Sequence, residues 1–309
     1  MDLQMSFPVS GVTTWIFIPP LVAFVVSFFA SMGGVSGAFL LLPFQISYLH
    51  FVTPSVSATN FVYNIVAIPS SVYRYIREER MAWHLARLLV LATLPGIFLG
   101  YYLRVVYLPD PRSFRLFVAC VLLYVGVRLA LDAMAKAKNG GEIWQNKVPS
   151  INQMIGIPVN IRTLSFSAKK TEYEFCGNSF SFATPKMLVM AFLVGIVGGA
   201  YGIGGGSIIA PFCVAFLGLP VYMIAGAALF GTFLTSIAGV LFYTFVPLKP
   251  GVSTSPDWLL GILFGLGGMV GMYCGAHFQR FVPQKIIKIM LGLMLTFLAL
   301  SYMAGFFTR

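Results

Sequence analysis

Acidic side chains are scarce in this 309-residue chain and absent from its apolar runs. Only 9% of the residues are charged, and nine residues are Asp or Glu. A soluble globular domain carries roughly 25% charged residues. All nine acids lie in predicted loops or at the ends of predicted segments. Because cation sites and carboxylate proton relays need Asp or Glu inside the helix bundle, the sequence disfavours a cation transporter and a carboxylate-driven proton pump.

Several motifs are also missing. The four cysteines form no CxxC pair, so we expect them to pack within the fold. The first Lys or Arg is Arg74, so the N-terminus lacks the basic region of a signal peptide. The stretch Gly202–Ser207 resembles a phosphate loop, but no lysine follows it and it lies within an apolar segment. We expect no ATP hydrolysis by this chain, no cofactor and no metal ion.

Hydrophobic residues dominate what is present. They make up 58% of the chain, the mean hydropathy is +0.87, and apolar runs near or above the ~18 residues that span a bilayer recur throughout. The sequence therefore predicts an all-α polytopic membrane protein. The net charge of +11 comes from Lys and Arg at segment ends and in loops, so we expect no nucleic acid as a partner. The loops 74–87 and 135–185 are rich in these residues and are predicted to be cytoplasmic.

A glycine-interrupted apolar segment occurs twice, 168 residues apart. The matching positions are Gly34, Gly37, Pro43 and Phe44 in the first copy, and Gly202, Gly205, Pro211 and Phe212 in the second. Helices that break at the same depth in both halves of a membrane protein indicate the binding site of a transporter.

The repeat divides the chain into a first membrane half (1–134), a central stretch (135–185) and a second membrane half (186–309). Each half has one broken segment followed by three transmembrane segments. The predicted segments are 15–48, 55–76, 86–108 and 113–134 in the first half, and 186–218, 221–246, 258–281 and 285–306 in the second. Period-two alternation around Gly177-Asn178 predicts a small β-hairpin in the central stretch. In the third segment of each half, Gly96 and Gly100, and Gly267 and Gly271, predict close helix packing.

Two topologies satisfy the charge bias. If both broken segments cross the membrane, the chain has eight spans and its halves are parallel. If each broken segment enters and returns as a re-entrant hairpin, each half has three full spans, and that odd number inverts the second half. We favour the inverted repeat because both broken segments are long and have helix-breaking glycines near the middle.

The breaks favour anion chemistry. A broken helix exposes backbone N–H groups, and the half-helix that follows points the positive end of its dipole at the gap. Two such ends that meet within the membrane form an anion site without a buried Lys or Arg. Nearby hydroxyl and amide groups are suitable neutral donors. The candidate binding residues are Gly34, Ser36, Gly37, Thr59, Asn60, Asn64, Gly202, Gly204, Gly205, Gly206, Ser207, Thr232 and Thr235.

Other interpretations stay open. An anion channel would use the same dipoles, but its flux would not saturate. In an intramembrane serine hydrolase, Ser36 would be the nucleophile and His277 its base; Gly204 replaces Ser36 in the second copy, which disfavours this reading. The Ser and Thr hydroxyls could also satisfy carbonyls of their own helices.

These motifs resemble the sulfite exporter family TauE/SafE, over roughly 20–134 and 186–306. The residues that carry the resemblance are Gly33–Phe44, Gly198–Phe212, Ser57-Ala58-Thr59-Asn60 and 231–239. The resemblance implies a transporter, not an enzyme, in the prokaryotic cytoplasmic (inner) membrane. It also implies a substrate among sulfur-containing anions such as sulfite, organosulfonates or thiosulfate, moved by an exporter or an uptake permease.

Two departures from the family pattern limit what the resemblance implies. The central stretch is longer than the connector of many members, which leaves regulation open. The first copy has Ser36 and Ala38 where the second has Gly204 and Gly206, which leaves the symmetry of the site open. The expected function is secondary transport by alternating access. The expected partners are a small sulfur-containing anion and the lipid bilayer, and a homodimer remains open.

Overall fold

A computed structural model of the chain describes residues 4–138, 161–175, 177–217, 219–250, 252–282 and 284–307. Its α-helices are α1 (Ile18–Met32), α2 (Ala38–Ser47), α3 (Ser55–Arg77), α4 (Trp83–Tyr102), α5 (Pro111–Lys138), α6 (Thr184–Tyr201), α7 (Gly206–Leu217), α8 (Val221–Phe245), α9 (Trp258–Phe278) and α10 (Gln284–Phe307). A π-helical turn (Leu103–Tyr107) extends α4, and a 3-10 turn (Gln279–Phe281) follows α9.

Four of the described helices are long and apolar enough to cross a membrane. These spans are Trp83–Tyr107, Thr184–Tyr201, Val221–Phe245 and Trp258–Phe278. Shorter apolar helices include Ile18–Met32 and Ala38–Ser47, which flank the first glycine interruption. The prediction of an all-α polytopic membrane protein is confirmed.

Both broken segments are interrupted where the sequence places glycine. The first break, residues 33–37, separates α1 from α2, and the second break, residues 202–205, separates α6 from α7. Gly34, Gly202 and Gly204 have φ values of 70°, 81° and 77°. This left-handed region suits glycine because a Cβ would meet the following carbonyl oxygen. The glycines therefore end the first half-helix of each segment and allow the chain to turn.

The chain reverses direction at both breaks. Along α1, Pro20 lies against Gly267 and Phe28 against Gly275, so α1 runs parallel to α9. After the first break, the Phe44 ring of α2 lies 6.3 Å from the Phe264 ring, nearer the start of α9. Beyond the second break, Cys213 Sγ of α7 approaches Met187 Sδ near the start of α6 at 3.6 Å. Each broken segment is thus a helical hairpin, and its depth in a bilayer stays a prediction.

Each hairpin packs mainly on the opposite half of the chain. Helix α1 packs on α9, and α6 packs on α4; α3 packs on α8, and α5 on α10. Glycines form the closest of these contacts. Gly96 and Gly100 lie against the backbone of α6, while Gly267 and Gly271 lie against the backbone of α1. The close packing predicted from the two Gly-xxx-Gly pairs is confirmed by these contacts, and the inverted relation of the halves stays a prediction.

Two small sheets lie outside the helices. Strands β1 (Gln4–Phe7) and β2 (Val12–Trp15) form an N-terminal hairpin that the sequence did not predict. Strands β3 (Ile161–Phe166), β4 (Lys170–Phe175) and β5 (Asn178–Ala183) form an antiparallel sheet in the order β3-β4-β5. Thr163 Oγ1 lies 3.2 Å from His84 Nδ1, so this sheet contacts the start of α4. The rest of the central stretch, residues 139–160, lies outside the described residues.

Candidate functional site

The side chain of Asn64, midway along α3, contacts both helix breaks. Its Oδ1 accepts a hydrogen bond from the Ser36 hydroxyl of the first break. Its Nδ2 donates to the Ile203 carbonyl of the second break at 3.1 Å and to Ser236 Oγ of α8, also at 3.1 Å. Asn64 and Ser36 are fully buried. One amide therefore joins the two hairpin tips in the interior of the helix bundle.

Glycine makes this approach of the tips to the neighbouring helices feasible. A Cβ on Gly34 would lie 2.7 Å from Ala225 Cβ of α8. A Cβ on Gly202 would overlap the backbone of Ser57 on α3, whose carbonyl carbon would be 2.7 Å away. Real Cβ atoms avoid such distances, so any other residue would push the tips away from α3 and α8.

The second break also contacts α8 through threonines. The Gly205 backbone N–H donates to Thr235 Oγ1 at 3.2 Å, and Gly204 and Gly206 both pack against Thr232. The hydroxyls of Thr232 and Thr235 themselves donate to carbonyls one turn earlier on α8, at 2.9 and 2.8 Å. These threonines therefore lie at the break while satisfying their own helix. The side chain of Ser207 lies outside the described part of the structure.

The first break contacts a tyrosine that the sequence analysis missed. Gly37 lies against the Tyr63 hydroxyl, which also makes a 2.6 Å hydrogen bond with Ser27 Oγ of α1. Tyr63 is completely buried beside Asn64 in the sequence of α3. A tyrosine in an apolar helix carries no sequence signal for this contact, because its ring fits a packing role equally well.

Thr59 lies elsewhere. Its hydroxyl donates to the Ser55 carbonyl at 2.8 Å and accepts from the Asp257 backbone N–H at 2.9 Å. Asp257 caps α9 by accepting from Leu260 N, and it also accepts from Ser10 in the β1–β2 turn. Thr59 therefore helps to connect α3 to the start of α9, and the structure does not bring it to the breaks.

Asn60 pairs with a residue that the sequence analysis also missed. Gln45 Nε2 of α2 donates to Asn60 Oδ1 at 2.9 Å, and both side chains are fully buried. Their other amide atoms, Gln45 Oε1 and Asn60 Nδ2, have no hydrogen-bond partner among the described residues. Asn60 lies one helical turn from Asn64 on the same face of α3. We call the contact of Asn64 with both breaks the crossing. The amide pair thus lies next to the crossing.

A buried arginine lies near the end of α4. Arg104, in the π-helical turn, is fully buried and donates to the carbonyls of Leu108 and, at 3.2 Å, Val52. Its guanidinium lies 3.6 Å from the centre of the Phe114 ring. Within the described ranges it makes no ion pair. The sequence analysis placed Lys and Arg at segment ends and in loops and did not predict that this arginine is buried.

The groups of the alternative hydrolase site are not assembled. Ser36 Oγ bonds to Asn64, whereas His277 Nδ1 contacts the Arg74 guanidinium. A serine nucleophile needs its base within hydrogen-bond reach. In the part of the chain that the structure describes, no cluster of His, Cys, Asp and Glu could hold a metal ion. The site therefore offers neutral donors and backbone groups.

Comparison with known proteins agrees with this architecture. The sequence profile of the family described as "Sulfite exporter TauE/SafE" matches residues 20–302. The "Probable membrane transporter protein YunE" of Bacillus subtilis is 23% identical over 273 residues, which cover 86% of this chain and 89% of that protein. The "Probable membrane transporter protein MJ0441" of Methanocaldococcus jannaschii is 30% identical over 132 residues, 41% of this chain and 45% of that protein.

No solved structure matches the chain. The family match extends from α1 to α10 and so includes both breaks and every helix that contacts them. The chain is a multi-pass membrane transporter, not an enzyme, and it belongs to the sulfite exporter TauE/SafE family.

Proposed function

We propose that this transporter carries a small sulfur-containing anion, such as sulfite, an organosulfonate or thiosulfate, between the two helix breaks. One observation carries the proposal: the Asn64 amide hydrogen-bonds to Ser36 in the first break and to Ile203 in the second. A ligand that replaces these bonds would contact both hairpins at once. Such a position couples binding to the relative movement of the hairpins.

The chemistry available at this crossing is that of hydrogen-bond donation to an anion. When the tips separate, the Ser36 hydroxyl and the Asn64 Nδ2 group can turn from protein acceptors to anion oxygens. Helices α2 and α7 begin at the breaks, and the positive ends of their dipoles favour a negative charge there. Donors in a dry interior interact more strongly with an anion than they would in water. The proposed ligands are Ser36, Asn64, Thr235 and the backbone N–H groups of both breaks.

The lack of acid near the crossing favours anions over cations. Within the described residues, the ion pairs involve Glu78 near the end of α3 and Glu172 in β4, away from the breaks. A carboxylate among these donors would repel an anion and bind a cation instead. Neutral donors also suit a carrier, because they release an anion more readily than a fixed salt bridge does.

The exchanged packing of the hairpins supports a mechanism of alternating access. Since α1 packs on α9 and α6 packs on α4, each hairpin is attached to a helix of the other half. One unit consists of the first hairpin with α9, and the other consists of the second hairpin with α4. Rocking of one unit against the other would open the crossing to one face of the membrane and then to the other. The Asn64 bonds would break and reform in each cycle.

Purified protein in proteoliposomes tests the proposal. We expect saturable counterflow of radiolabelled sulfite that sulfonates, thiosulfate or sulfate inhibit to different extents, whereas a channel would give unsaturated flux without counterflow. Asn64→Leu should lower the ratio of the maximal transport rate to the half-saturating concentration at least about tenfold, because hydrogen bonds to charged groups contribute about 1.5–3 kcal/mol each. Ser301→Ala removes an exposed hydroxyl on α10 and serves as the control. Equal activity of the two variants would contradict the site, and absence of flux with every sulfur anion would contradict the substrate class.

A further inference from the structure

The buried amides of Gln45 and Asn60 each use only one of their two polar atoms to bond to the other. The 2.9 Å bond from Gln45 Nε2 to Asn60 Oδ1 leaves Gln45 Oε1 as a buried acceptor and Asn60 Nδ2 as a buried donor. Both side chains have no exposed surface. A buried polar atom without a partner lowers the stability of the folded protein. Such a pair is expected to have a ligand that satisfies both atoms.

The complementarity of this pair does not depend on how the amides are oriented. Amide oxygen and nitrogen positions are assigned from the hydrogen-bond network. Exchanging them in both residues makes Asn60 the donor of the shared bond and leaves Gln45 Nε2 and Asn60 Oδ1 available. One donor and one acceptor are therefore left for a ligand in either arrangement. The ligand must accept one hydrogen bond and donate another.

This requirement distinguishes between the protonation states of an oxyanion. Fully deprotonated sulfite and sulfate, and the sulfonate group, present only acceptor oxygens. Their lone pairs would face the free amide oxygen, which lies in an interior where electrostatic repulsion is strong. A monoprotonated oxyanion has an O–H group that donates to the amide oxygen and further oxygens that accept from the amide N–H. Hydrogensulfite has this composition and carries a single negative charge.

We propose that Gln45 and Asn60 form a subsite that selects the monoprotonated form of a sulfur oxyanion. The inference rests on the proposed function and specifies the form of the substrate. Asn60 is one turn of α3 away from Asn64, and Gln45 lies on the half-helix that begins at the first break. Each anion then carries a proton across the membrane on its own oxygen. A carrier without a carboxylate relay thereby moves acid equivalents together with its substrate.

Transport at several pH values tests this inference. In wild-type proteoliposomes, the half-saturating concentration of total sulfite should rise with pH in inverse proportion to the fraction that is hydrogensulfite. The inhibition constant of methanesulfonate, whose charge does not change over the pH values compared, should stay the same. Wild type should also prefer hydrogensulfite to methanesulfonate, and Gln45→Met should narrow that preference at least about tenfold. In either arrangement the substitution removes the partner that fixes one donor and one acceptor, so the released Asn60 amide can turn its N–H to either anion. Gln4→Met, the same change at an exposed position of β1, should leave the preference unaltered.

Different results would overturn the two proposals separately. A half-saturating sulfite concentration that does not change with pH, or an unchanged preference in Gln45→Met, would mean that the amide pair holds only an ordered water. Absence of sulfur-anion flux in the wild type at every pH would contradict the proposed function itself. If Gln45→Met does not fold, heat denaturation of wild type in detergent still decides the question. The same total sulfite should raise the melting temperature more at low pH than at high pH, and equal shifts would refute the subsite.

Discussion

Substitution of Gly202 by alanine should lower the stability of the protein for two reasons, the left-handed backbone conformation of this residue and its close packing. Gly202 has φ 81°, and a Cβ there would overlap the Ser57 backbone. The left-handed conformation costs a non-glycine residue about 1–2 kcal/mol. Forcing a methyl group into packed backbone adds about 1–3 kcal/mol. We therefore expect Gly202→Ala to lose about 2–5 kcal/mol, a large part of the 5–15 kcal/mol that typically stabilises a folded protein.

Gly11 provides a matched control for this change. It also has a positive φ, 68°, but a Cβ there would meet nothing within 4 Å. Gly11→Ala should therefore cost only the conformational part, about 1–2 kcal/mol. Unfolding of both variants in mixed detergent micelles, followed by tryptophan fluorescence, gives the two free energies. Equal losses in the two variants would refute the argument from close packing.

The same substitution should also impair transport beyond its effect on stability. Ser57 donates from its hydroxyl to the Ala200 carbonyl at 3.1 Å, so it holds the second hairpin against α3. A displaced Ser57 would shift Asn64, which lies two turns further along the same face. The rate of counterflow in proteoliposomes that contain equal amounts of folded protein measures this effect. Counterflow in Gly202→Ala that equals the Gly11→Ala rate would show that the tip tolerates displacement.

Two further predictions concern residues near the start of α5. Arg104→Met should lower the melting temperature in detergent, because two partly buried carbonyls lose their donor, at no more than about 1–3 kcal/mol each. Arg112→Met changes an exposed neighbour and should have little effect. Equal melting temperatures would contradict the role of Arg104. The Ser113 backbone N–H lowers the pKa of the exposed Asp110 carboxylate, which accepts from it at 2.9 Å as the cap of α5. A lowered folded-state pKa stabilises the protein above the ordinary pKa of Asp, and this stabilisation is lost as the pH falls from that value through the lowered pKa. The hydrogen-exchange protection factors in the first turn of α5, which compare the measured rate with the intrinsic rate at the same pH, should therefore fall over this range, and Asp110→Ala should remove the change.

The arrangement of helices followed closely from the sequence. Long apolar runs and paired glycines are strong signals, because a membrane helix leaves few alternatives for its backbone. The breaks at 33–37 and 202–205 therefore lie where the glycines predicted them. The N-terminal hairpin was missed because β1 and β2 have only four residues each. Its attachment depends on the contact of Ser10 with Asp257, which is remote in sequence.

The candidate site was harder to predict because side-chain partners depend on packing. Of the candidate residues, Asn64 and Thr235 contact the breaks, whereas Thr59 contacts Asp257 instead. All three are polar residues in apolar helices, and helical period alone cannot say which neighbouring helix each will meet. Gln45 was missed for a related reason, since a single glutamine in an apolar run resembles a packing residue until Asn60 is found opposite it. Their role in substrate binding stays a prediction.

The exchanged packing of the hairpins has a consequence for biosynthesis. Pro20 on α1 lies against Gly267 on α9, which the ribosome adds 247 residues later. During translation, α1 is therefore made before the glycine-lined face of α9 on which it packs, here called its groove. The first break must be sheltered by the insertion machinery, by lipid headgroups or by water until synthesis of the second half is nearly complete. A truncated chain that ends before α9 would leave the first hairpin without that groove, so membrane quality control could recognise incomplete copies by this exposed break.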